Sequence, residues 1–132
     1  MKFVLGVLVA GCAQWALAQP ANCPSAGDVS QAHLIGQWKA HVEGDAPFAL
    51  QLAKHPEFAE TLVGDVERNG ERIQVAGDVD DGELTLEESR NGKNISATWL
   101  GDVVEGSCGR EIHGIWKAEG TLSGRPFVLK KQ

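Results

Sequence analysis

The sequence predicts an all-β domain, an eight-stranded antiparallel up-and-down β-barrel with one disulfide, and leaves a two-sheet sandwich as the alternative. Three observations lead there. Apolar residues recur with period two from Leu34 onward, and helical spacing is sustained nowhere. Asn69-Gly70, Asp81-Gly82 and Asn91-Gly92 each stand between alternating runs, where two-residue hairpin turns belong. Finally, the residues left after removal of a leader include only two cysteines, Cys23 and Cys108.

The leader comes first in the chain. Met1-Lys2 precedes an apolar run, and Ala16-Leu17-Ala18 has the small-x-small form that signal peptidase cleaves, so residues 1–18 read as a signal peptide. Val9-Ala10-Gly11-Cys12 also fits a bacterial lipobox, which leaves lipidation of Cys12 open. No run is long and apolar enough to span a bilayer, so the expected location is periplasmic or secreted. Removal of the leader leaves 114 residues, enough for one domain, with 11 basic and 18 acidic side chains and a formal charge of −7. Such a surface disfavours nucleic acid and anionic membranes as partners.

Residues 19–33 are rich in Pro, Ser, Ala and Gly and form a lead-in that packs on the domain without joining its sheet. The barrel domain then occupies 34–132, with strands near 34–43, 46–54, 57–68, 71–80, 83–90, 93–103, 110–118 and 121–131. The turns fix register. Pairing across Asn69-Gly70 sets Val66 opposite Ile73 and Gly64 opposite Val75; across Asp81-Gly82 it sets Val79 opposite Leu84 and Gly77 opposite Leu86. Across Asn91-Gly92, Leu86 meets Ala97 and Leu84 meets Trp99. All three turns put apolar residues on one face, which a one-residue slip would undo. Inward glycines at 36, 64, 77 and 114 suit sharp curvature and close packing.

Cys23 and Cys108, alone in an oxidising compartment, are expected to pair. Strand direction puts Cys108 at the same end as both barrel termini, so the bond lays the lead-in across that end and seals it. At the opposite end, inward parity passes from apolar to charged: Arg68, Glu71, Glu88, Arg90 and Lys93 continue the rows of Val66, Ile73, Leu86 and Ala97. That end reads as the mouth, because inward charges are tolerable where a barrel meets water. Trp38, Trp99 and Trp116 also point inward, beside Phe48 and Phe127, either as solid core filling or as the wall of an aromatic pocket to which the small inward residues give room.

Leu34-Ile35-Gly36-Gln37-Trp38 at the head of the first strand resembles the Gly-x-Trp signature of the calycin-type barrels: lipocalins, avidins and small bacterial metalloprotease inhibitors. The resemblance implies that Trp38 seals the closed end beneath a basic side chain of the last strand, here Lys130 or Lys131. The Thr-Asp-Tyr motif of lipocalins is missing, and the chain has no tyrosine.

No catalytic or metal motif emerges. His33, His41, His55 and His113 lack ligand spacing, and Asp78 to Glu83 departs from a calcium loop in the position of its glycine and in lacking the closing glutamate. Asn94-Ile95-Ser96 is formally a glycosylation acceptor, placed in a strand with Ile95 inward, and no glycan is expected. The expected function is therefore non-catalytic, without cofactor: the barrel holds a small apolar or amphipathic ligand through Trp38, Trp99, Trp116 and the charged collar. The alternative is a protease-inhibitor-like protein that binds a partner enzyme through its N-terminal segment and loops.

Overall fold

The computed structural model describes residues 23–132 together with Gly6, Ala10 and Gly11. The signal peptide, Cys12 of the lipobox and residues 19–22 of the lead-in lie outside the described residues. Eight strands form a closed antiparallel barrel in chain order: β1 Gly36–Val42, β2 Phe48–Lys54, β3 Leu62–Arg68, β4 Glu71–Asp80, β5 Glu83–Ser89, β6 Ala97–Val103, β7 Glu111–Ala118 and β8 Arg125–Lys131. Closure is made by β1 on β8, where Trp38 faces Lys131 and Ala40 faces Leu129. A closed ring, rather than a sandwich, leaves every strand paired on both sides.

Two turns behave as their residues dictate. Asn69 and Gly70 have φ of 54° and 76°, and Asp81 and Gly82 have 49° and 77°. Both residues of each pair lie in the left-handed region that a two-residue turn of this hand requires. The pairs Val66 with Ile73, Gly64 with Val75, Val79 with Leu84 and Gly77 with Leu86 all form.

The third turn corrects the sequence reading. Leu86 pairs with Trp99 and Leu84 with Gly101, two residues away from the expected register, and β5 and β6 are joined by a loop over residues 90–96. The reason is the Asn91 side chain, whose Oδ1 accepts the backbone N–H groups of Lys93 and Asn94, each at 2.8 Å. That side chain takes over the hydrogen bonding a hairpin would have supplied, and Gly92 with φ 74° is the left-handed residue of the loop. A shift of two preserves side-chain parity, so the inward set of β6 survives. Ile95 belongs to this loop and is 41% exposed, so it does not face inward as expected. Strands β3, β6 and β8 also start four or five residues later than expected, after longer loops.

The glycines act on shape. A Cβ on Gly64 would stand 1.7 Å from the carbonyl oxygen of Gln51, and one on Gly114 would stand 2.0 Å from that of Leu100. Neighbouring backbone fills the place of the missing side chain, so these glycines permit coiling and give no room to a ligand. The wall encloses a continuous apolar core in which Trp38, Leu50, Leu52, Val66, Ile73, Leu84, Leu86, Trp99 and Leu129 are at most 1% exposed. Water has no space beside these side chains, even from within: the barrel is packed by its own residues.

The terminal end is sealed, as expected. The lead-in makes a 3-10 turn at Ala26–Asp28 and one helical turn, α1, at Gln31–Leu34; Val29 and Leu34 are buried against the barrel floor. Trp38 donates its indole N–H to the carbonyl of Leu34 at 2.8 Å, and Lys131 donates to the carbonyl of His33 at 2.7 Å. Burial, and secondarily Arg110, pulls the Lys131 ammonium below its usual pKa. Cys23 and Cys108 are bonded across 85 residues, which ties this plug to the β6–β7 loop. Thiol titration of the denatured, unreduced protein should find neither cysteine free. Replacing both with alanine should cost about 2–4 kcal/mol in urea unfolding, and an unchanged midpoint would remove the bond from the stability of the fold.

Candidate binding site at the collar end

The opposite end is built from residues of five strands. Arg68 closes β3, Glu88 lies one residue before the end of β5, Trp99 sits on β6, and Trp116 on β7 faces Arg125 at the head of β8. Alternation points all of these side chains into the barrel, so the register alone brings them together.

Glu88 is the centre of the arrangement. It is 0% exposed, the one charged residue buried among the described residues. Its Oε2 accepts the indole N–H groups of Trp99, at 2.8 Å, and Trp116, at 2.5 Å. Arg68 completes the shell with two parallel bonds, Nη2 to Oε1 at 2.9 Å and Nη1 to Oε2 at 3.3 Å. A buried carboxylate is tolerable when it is paired and its lone pairs are filled, and Glu88 meets both conditions.

The guanidinium of Arg68 is held on its faces as well as its edge. Its central carbon lies 5.4 Å from the centroid of Phe48 and 5.0 Å from that of Trp116. Trp116 carries a second guanidinium, that of Arg125, at 4.6 Å. Arg125 in turn bonds Asp45 at 2.9 Å and the carbonyl of Glu43 at 3.1 Å. Below, Trp99 meets Phe48 and Phe127 edge-on, with centroids 6.0 and 4.8 Å away. Arg68 thus occupies an aromatic cage with an acidic floor.

These positions revise the expected mouth. Parity correctly points Arg68 and Glu88 inward, but they do not stand as a water-filled rim: their side chains are 10% and 0% exposed and close the barrel as a plug. Two opposite charges at inward parity reach each other across the lumen and satisfy one another, a solution that does not require solvent. Glu71 and Arg90 form a separate, half-exposed pair at 2.9 Å above the plug. Lys93 leaves the collar altogether, because the 90–96 loop carries it to the outer wall. There it lines a groove of about 620 Å³ with Arg72, Gln74 and Ile95. Of the tryptophans, Trp99 and Trp116 belong to the cage, whereas Trp38 lies at the sealed end and supports the opposite floor. Arg125 and Asp45 were missed by the sequence reading. Arg125 shares the inward parity of Phe127 and was legible by that rule; Asp45 is a loop residue with no such signal.

Elsewhere the polar groups have local tasks. Nδ1 of His55 accepts the N–H groups of Glu57 and Phe58, both at 3.0 Å, within the β2–β3 loop. Nδ1 of His33 accepts the N–H of Ser30 at 2.9 Å and braces α1. Among the described residues, no three His, Cys, Asp or Glu side chains converge as metal ligands would. No helix among them is long and apolar enough to cross a membrane. Compared with known proteins, the sequence matches no family model and no curated protein.

Proposed function

We propose that this chain is an exported, calycin-like, non-catalytic binding barrel that takes a small, partly apolar ligand at its collar end. The observation that carries the reading is the cage of Phe48, Trp99 and Trp116 over the Glu88 carboxylate, closed by the side chain of Arg68. Large apolar surfaces with a few converging polar groups are what small-ligand sites consist of. The disulfide, together with the leader expected from the sequence, favours export. Binding without chemistry is favoured because the polar groups of the cage are all engaged with one another, and no nucleophile is paired there with a base.

The inhibitor-like reading requires a free N-terminal segment. From Cys23 to Leu34 that segment is tied down by the disulfide, by the burial of Val29 and Leu34 and by the bond from Trp38 to Leu34 at the sealed end, which favours the ligand reading. Native mass spectrometry of the mature protein from its own host is the direct test. A retained small molecule that is lost when the collar is altered is the expected result; a stoichiometric protein partner and no small molecule would overturn it.

A further inference from the structure

We infer that the ligand of the collar is a cation, a guanidinium or ammonium group on an apolar stem, and that it binds by taking the place of the Arg68 head group over Glu88. This rests on the reading of the collar as the binding end. Arg68 is then a tethered occupant of a cation site.

The receptor half of that site does not depend on Arg68. Glu88 is held by two indole N–H groups on Oε2. Its backbone is fixed opposite Ala97, that of Trp99 opposite Leu86, and that of Trp116 opposite Arg125. The cation half sits at the edge of the barrel. Arg68 is the last residue of β3, directly before the Asn69-Gly70 turn, and its side chain already reaches solvent at 10% exposure. Rotation about its own side-chain bonds carries the guanidinium outward while the strand stays paired. Glu71, opposite Arg68 across the turn, half exposed and bonded to Arg90 through Oε1, offers its Oε2 to receive it.

Charge selects the ligand. A neutral or anionic molecule that expelled Arg68 would leave Glu88 buried without a counter-charge, the arrangement a folded protein tolerates least. An incoming cation restores the ion pair and regains both aromatic faces, those of Phe48 and Trp116. A planar guanidinium also reproduces the two parallel bonds that Arg68 makes to the carboxylate. Competition from the tethered group lowers the apparent affinity, since a ligand finds the site free only in the fraction of molecules with Arg68 displaced.

The test follows the indole N–H resonances of Trp99 and Trp116 in the full mature protein during titration with benzylguanidinium, with benzylurea as its neutral isostere. The parent protein should show saturable shifts of both resonances with benzylguanidinium and none with benzylurea. Arg68→Ala, freed of the tethered competitor, should bind benzylguanidinium at least about tenfold more tightly and gain thermal stability from it. Arg68→Lys, which keeps a charge but loses the planar fork, should bind it more tightly than the parent and serves if the alanine variant does not fold. No saturable response in the parent and in either folded variant, or an equal response to benzylurea, would overturn the inference. If native mass spectrometry finds a neutral or anionic ligand that shifts the same indoles, the collar reading stands and the cation inference fails. If neither retained ligand nor probe shifts them, both fail.

Discussion

Replacing Arg68 with alanine is expected to destabilise the protein by about 3–5 kcal/mol, because it leaves Glu88 buried without its counter-charge. The mechanism is specific to this position. Arg90, whose pair with Glu71 is half exposed, should change stability by less than about 0.5 kcal/mol on the same substitution. Simultaneous replacement of Arg68, Arg90 and Lys93 should therefore follow Arg68 alone, whereas a collar of free rim charges would have left stability nearly intact. Removing both members of a buried pair is often neutral, but here Arg68→Met with Glu88→Leu would strand two indole donors. Each stranded donor costs about 1–3 kcal/mol, so the double variant should stay destabilised. Urea midpoints of the four variants decide the matter; a parent-like Arg68→Ala would show that the pair contributes nothing to the fold.

The second large effect is at the other end. Trp38→Ala should cost about 3–5 kcal/mol through lost burial and the cavity left under the lead-in. Trp38→Phe separates the two contributions of the indole. It keeps most of the volume but gives up the hydrogen bond to Leu34, and should cost about 1 kcal/mol for that bond beyond its small change in packing. Equal losses for alanine and phenylalanine would assign the effect to the hydrogen bond, contrary to the burial argument.

Much of the fold was legible because hairpin residues and alternation act locally. Asn69-Gly70 and Asp81-Gly82 determine two registers by backbone conformation alone, and the position of Cys108 then orients the sealed end. Asn91-Gly92 misled because the same dipeptide also serves a longer loop when the asparagine side chain takes up nearby N–H groups. The site was legible in membership but not in state. Parity says that Arg68, Glu88, Trp99 and Trp116 share the lumen; it does not say whether side chains of that length meet across it and exclude water. That depends on distances across the barrel, set by closure and by glycines such as Gly64 and Gly114, through interactions distant in sequence.

Closure of β1 on β8 has a further consequence for how the chain reaches its fold. The first strand can complete its pairing only with the last, so until β8 arrives two rows of backbone donors and acceptors, on β1 and on β7, remain free to recruit other chains. The disulfide loop spans β1 to β6 and ends in the loop before β7, so oxidation shortens the path between the barrel's two ends without occupying either free strand. A partly folded, oxidised molecule is therefore held near closure while still adhesive, and the concentration at which it refolds should govern its yield more strongly than its redox state.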